Sequence, residues 1–107
     1  LNVSETSPPR IAAVHQELEL PQSGSLSVDA GTNVTTVTGN SLSIRCNATG
    51  FPVPQITWSK DGTSLSAKGP VYVLPTLEPS DSGRYQCIAT NVDGVDTQDI
   101  RIHVLGK

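Results

Sequence analysis

The side chains through which this chain could do chemistry are two cysteines, two histidines, three closely spaced aspartates and several asparagines. Cys46 and Cys87 stand 41 positions apart. Neither lies in a C-x-x-C spacing, and His15 and His103 have no partner at i+3 or i+4. A zinc site takes four close donors, which the sequence does not offer locally. On the cysteine count alone, two free buried thiols and a bond between them both remain open. Asp93, Asp96 and Asp99 could suggest calcium, but they lack the carboxylate-rich loop with a terminal bidentate ligand that this ion takes. They read as a solvated hairpin. No serine lies in a Gly-x-Ser-x-Gly turn, and His103, alternating with Ile102 and Val104, reads as a surface residue. Without a nucleophile and base or paired carboxylates, the chain is expected to be no enzyme and to carry no cofactor and no metal.

Modification is a different matter. Asn2-Val3-Ser4, Asn33-Val34-Thr35 and Asn47-Ala48-Thr49 are N-glycosylation sequons. Each is a weak signal alone. Three in 107 residues, beside an even number of cysteines, point to an oxidising secretory compartment. If the cysteines were joined, closing that loop would contribute roughly 4 kcal/mol by chain entropy. That is a large share of the ~5–15 kcal/mol by which a domain is stable.

The elements that must position these residues read as strands. Residues 41–47 alternate, with Leu42, Ile44 and Cys46 on one face. Ile56 and Trp58 share a face before a turn at Asp61-Gly62. Residues 71–74 are a short apolar run ended by Pro75. Tyr85, Cys87 and Ala89 point inward, Arg84, Gln86 and Ile88 outward. Asn91-Val92-Asp93-Gly94 is a hairpin turn, followed by inward Ile100, Ile102 and Val104. Residues 11–20 carry a partial helical spacing (Ile11, Val14, Leu18), but strand or extended chain is the better reading. In residues 22–32, polar and rich in Gly and Ser, Leu26 and Val28 suggest a small strand. Residues 1–10 are expected to be a linker or the tail of a preceding domain, and residues 11–107 a single domain.

Composition agrees. Hydrophobic residues are 36% and charged residues 16%, with 9 Gly, 8 Pro and only Phe51, Trp58, Tyr72 and Tyr85 as aromatics. This favours short strands and many turns. No apolar run approaches the ~18–20 residues of a membrane span, so direct membrane insertion is not expected. A net charge of −3 with dispersed basic residues disfavours nucleic acid. With no initiator Met or apolar leader at its start, the chain is expected to be an excerpt of a longer protein.

Around the second cysteine the chain reads Asp81-Ser82-Gly83-Arg84-Tyr85-Gln86-Cys87, and Trp58 follows Cys46 by 12 residues. This Asp-x-Gly-x-Tyr-x-Cys pattern with its Cys…Trp…Cys framework resembles the immunoglobulin superfamily. The stretch from Gly50 through Phe51-Pro52-Val53-Pro54 to Trp58-Ser59-Lys60-Asp61-Gly62 is similar to its intermediate set, found in adhesion molecules, receptor ectodomains and matrix proteins. The resemblance covers residues 34–104. It implies an all-β, immunoglobulin-like Greek-key sandwich of two antiparallel sheets. It also implies a Cys46–Cys87 disulfide packed on Trp58, and a core that includes Leu42, Ile44, Ile56, Leu77 and Tyr85. The Tyr85 hydroxyl is then expected to bond backbone near Asp81, with Gly83 allowing a tight turn. Two departures stand out. Trp58 and Cys87 are only 29 residues apart, so the family's strand D should be truncated or absent, with residues 61–70 crossing directly to strand E. Between Gly62 and Gly83 the only basic residue is Lys68, which leaves Asp81 without the arginine that similar domains often provide.

What the resemblance implies for function is an extracellular, non-enzymatic module of a larger protein. Its partners would be proteins, homophilic or heterophilic, and neighbouring domains of the same chain. A ligand-binding domain of a receptor ectodomain and a spacer or ancillary domain of a secreted protease-related matrix protein are the alternatives. Outward Ile88 and Val92, or Val71 and Val73, are the apolar residues available for contact, and no binding surface is assigned from sequence.

Overall fold

Alternation at single-residue steps can bury one face of a strand only if another sheet covers it, and the chain solves this with a sandwich. In a computed structural model, which describes residues 6–12, 17–19 and 25–106, the strands are β1 (Ser7–Ala12), β2 (Glu17–Glu19), β3 (Ser25–Asp29), β4 (Asn33–Val37), β5 (Ser41–Arg45), β6 (Asn47–Phe51), β7 (Gln55–Lys60), β8 (Thr63–Lys68), β9 (Val71–Leu74), β10 (Gly83–Asn91) and β11 (Gly94–Leu105). The larger sheet has the order β2-β4-β11-β10-β7-β8 and the smaller one β3-β5-β9, while β1 pairs with β6. Among the described residues the helical content is one 3-10 turn, Pro79–Asp81.

The core lies between the two sheets. Leu42 and Ile44 from β5, Ile56 and Trp58 from β7, Tyr85, Cys87 and Ala89 from β10, and Ile100, Ile102 and Val104 from β11 are all buried, with Leu77 from the loop before the 3-10 turn. Fully burying an aliphatic side chain of this size contributes about 1.5–3 kcal/mol, so the inward registers are strongly specified. His103 lies exposed between two of them.

Several details refine the expectations. Pairing is antiparallel through β11-β10-β7-β8 and β5-β9, but β2–β4, β4–β11 and β3–β5 are parallel. The reason is that β4 and β5, joined by a tight turn, lie in opposite sheets; each is flanked by a segment running its own way. Ser7–Arg10, expected as linker, belong to β1: Arg10 pairs with Thr49 and Ala12 with Asn47. Two prolines do not prevent this, because an outer strand need not use every amide. No structure is described for residues 1–5, so the remainder of the linker reading lies outside the described residues, as do His15 and Asn2. Residues 61–70 are also more than a crossing. Asp61 and Gly62, at φ 50° and 87°, form the tip of a hairpin of the type that demands left-handed backbone at both positions. Its second arm, β8, pairs with β7. Among the described residues no strand occupies the D position, so β9 ends the smaller sheet.

Candidate functional site

Three sets of residues repay a close look: the buried centre, the hinge around Asp81, and one end of the sandwich. At the centre Cys46 and Cys87 form a disulfide across the two sheets, with Cα atoms 6.4 Å apart. Cys87 pairs directly with Trp58 in the ladder of β10 and β7. The Trp58 indole N–H donates to the Gly69 carbonyl at 2.9 Å, satisfying the one polar atom that a buried tryptophan brings with it. Tyr72 lies between the other two core aromatics, its ring 5.7 Å from that of Trp58 and 6.0 Å from that of Tyr85. Sequence reasoning missed Tyr72 as a core group; its place between outward Val71 and Val73 was the available signal.

Around Asp81 the Tyr85 hydroxyl donates to the Asp81 carbonyl at 2.7 Å. Burial pushes the Tyr85 phenol well above its ordinary range, and the nearby charge of Asp81, with Tyr72 and Asp61, pushes the same way. The Asp81 carboxylate accepts the Glu78 amide at 2.9 Å, so it closes the 3-10 turn instead of awaiting an arginine. Lys60 donates to the Ser80 carbonyl and lies 5.6 Å from the centre of the Tyr85 ring. Gly83 is required for close approach: a Cβ there would stand 2.7 Å from the Asp61 carboxylate. That carboxylate accepts the Arg84 amide at 3.0 Å and so ties the β7–β8 hairpin to β10. These groups hold the fold.

The three aspartates do not converge on a common point. Asp96 accepts the Ile11 amide at 2.8 Å and fixes β1 to β11. Asp99 meets the Arg84 guanidinium at 3.7 Å on the surface. Asp93 donates its amide to the Asn91 side chain at 2.8 Å. Among the described residues there is no group of three or more His, Cys, Asp or Glu able to hold a metal.

One end of the sandwich is different in character. Here Asn91, at the end of β10, donates from Nδ2 to the Ser7 carbonyl at 2.8 Å and to the Pro52 carbonyl at 3.0 Å. A single amide thus gathers β1, the loop after β6 and the β10–β11 turn. Gly50 permits the gathering, since a Cβ there would lie 3.3 Å from the Asn91 nitrogen and 3.1 Å from the Pro8 carbonyl. On this frame Phe51, Val53, Val92 and Val95 are 62%, 84%, 78% and 61% exposed. Phe51 is the one aromatic residue outside the core. Ile88 is half-buried, whereas Val71 and Val73 on β9 are exposed. Asn33 and Asn47 both lie exposed at the first positions of β4 and β6.

With this geometry in place the family is defined: the profile of the immunoglobulin domain matches residues 25–91, and the chain belongs to that family. It is 40% identical over 74 residues to human hemicentin-1, which covers 62% of this chain and 1% of hemicentin-1. It is 34% identical over 104 residues to human ADAMTS-like protein 3, covering 92% of this chain and 6% of that protein. The chain therefore spans a small fraction of these curated relatives. Among solved structures, a complex of titin M10 with an obscurin-like 1 immunoglobulin domain superposes with a TM-score of 0.68 at 22% identity, over 94% of this chain and 97% of the other.

Proposed function

We propose that this immunoglobulin domain is a non-enzymatic extracellular module of a larger multidomain protein, acting through protein–protein contact in adhesion or in matrix. The observation that carries this reading is the exposed apolar end formed by Phe51, Val53, Val92 and Val95. Single exposed apolar residues are ordinary, but four on one hydrogen-bonded frame make a surface that loses solvent-exposed apolar area when a protein covers it. The frame is already ordered by Asn91, so association loses little loop entropy. The buried disulfide and the accessible sequon residues Asn33 and Asn47 support an oxidising, glycosylating compartment; Asn2 is proposed as a third acceptor. Related domains meet protein partners, as the titin M10 complex with obscurin-like 1 illustrates. The partner is a protein, of the same kind or another, or a neighbouring domain of the same chain.

The test is adhesion of beads carrying the domain made in a secretory host. Attachment of the beads to matrix laid down by cultured cells should fall sharply in a Phe51→Ser/Val92→Ser variant of unchanged melting temperature. Wild-type beads that do not attach would leave the domain a spacer and sink this reading.

A further inference from the structure

We propose that the free edge of β9 is a self-pairing site, through which two copies of this domain join their smaller sheets in an antiparallel β9–β9 ladder. This goes beyond the proposed function and uses a different surface.

The backbone groups of β9 face two ways, and one set is already used. The β5–β9 register sets Ile44 against Tyr72 and Leu42 against Leu74, and the next step along it carries the Cys46 amide bonded to the Pro70 carbonyl at 2.7 Å. In an antiparallel ladder hydrogen-bonded pairs alternate with non-bonded ones. The bonded positions on β9 are therefore Pro70, Tyr72 and Leu74. The N–H and C=O of Val71 and Val73 point the other way, off the sheet. Among the described residues those groups have no partner, because β9 is the last strand of its sheet.

An open edge is a pairing template unless something blunts it. Of the four strands that end the two larger sheets, β2 carries Glu17 and Glu19, β3 carries Asp29 and β8 carries Lys68, while β9, Val71-Tyr72-Val73-Leu74, carries no charge. Its side chains also suit pairing. Val71 and Val73 are 46% and 53% exposed on the outer face. Tyr72 is held from inside between Trp58 and Tyr85, so the strand is ordered before any partner arrives.

The free groups are self-complementary, which selects a second copy as the occupant. A two-fold axis through Tyr72 sets Val71 of one copy against Val73 of the other, and each pair exchanges two hydrogen bonds. Pro75, which has no amide, and Gly69, whose amide is bonded to the Ile56 carbonyl, stop the ladder on either side. The same antiparallel arrangement brings the flank containing exposed Lys68 toward the flank containing exposed Glu78 of the second copy. So short a ladder buries far less than the roughly 1,200 Å² of a stable interface, which makes the dimer weak. Arrays of copies on a surface would multiply it.

Sedimentation equilibrium on the secreted domain, from micromolar to near-millimolar concentration, tests this with and without Asn47→Gln, since Asn47 is exposed just beyond the end of β5, the strand with which β9 pairs. A reversible monomer–dimer equilibrium is expected. Val71→Lys/Val73→Lys sets like charges against each other at both rungs and should weaken the dimer at least tenfold. Val71→Lys/Val73→Glu sets opposite charges together there and should restore it. All these side chains point to solvent, so each variant should melt near the wild type. A strict monomer in both glycosylation forms overturns the proposal. So does a dimer that survives the double lysine change, or one that both charge variants abolish equally. Phe51→Ser/Val92→Ser should leave the dimer unchanged, and loss of the dimer in that variant also overturns it. Failure here, with bead adhesion intact, would leave the proposed function standing.

Discussion

The molecule has two groups of large apolar side chains with opposite fates. Trp58, Tyr72 and Tyr85 are stacked between the sheets beside the disulfide, whereas Phe51, Val53, Val92 and Val95 face water at one end. Residue type does not separate them; position in the strand period does. The first group occupies inward registers of paired strands, where the polar atoms of Trp58 and Tyr85 have partners. The second sits at strand ends and turns, where no second sheet reaches. One group therefore carries stability and the other is available for contact, and substitutions should divide along that line.

The largest effect belongs to the centre. Trp58→Ala removes the biggest buried side chain and should destabilise the domain by about 3–5 kcal/mol in chemical denaturation; a loss below about 1 kcal/mol would dissolve the distinction between the groups. Next, replacing Cys46 and Cys87 together by alanine should lower stability by about 2–5 kcal/mol, measured by melting under non-reducing conditions against the wild type. A smaller change sharpens the comparison by touching one atom: Tyr85→Phe should cost about 0.5–1.5 kcal/mol through the lost bond to the Asp81 carbonyl. That bond also gives a pH signature. Because the folded phenol titrates above its unfolded value of about 10, the folded state holds the proton longer. Stability should then be flat through neutral pH and fall as pH rises above about 10, a fall that Tyr85→Phe reduces. Smallest of all, Phe51→Ser and Val92→Ser should each shift stability by no more than about 0.5 kcal/mol, while altering adhesion. A destabilisation like that of Trp58→Ala would show that the exposed end belongs to the core after all.

Much of the centre is legible in the sequence, because its information is local. Leu42, Ile44 and Cys46 alternate within a few residues, and the motif from Asp81 to Cys87 is continuous, which was enough to recognise the family and the sandwich. The end is legible only in part. Asn91 acts on Ser7 and Pro52, which are 84 and 39 positions away, and nothing in the local pattern of a turn announces such a reach. Asp61 reads as a turn residue, yet its carboxylate also serves Arg84 on another strand. β1 was obscured because Pro8 and Pro9 argue against a strand, and its pairing partner, β6, is distant in sequence. β8 was missed for a different reason: Ser64, Ser66 and Ala67 are too small to mark a period strongly.

The place of β11 has a consequence for how the chain is made. β4 enters the larger sheet only through β11, and β2 only through β4, so residues 33–37 await partners at 101–105. During synthesis the hairpin of β7 and β8 can form early and β10 can add to it, but the first part of the sheet must wait for the last strand to emerge. Such distant pairings close slowly. For that interval β4 has no neighbour but β2, and a chain halted before residue 105 would leave its other edge exposed indefinitely.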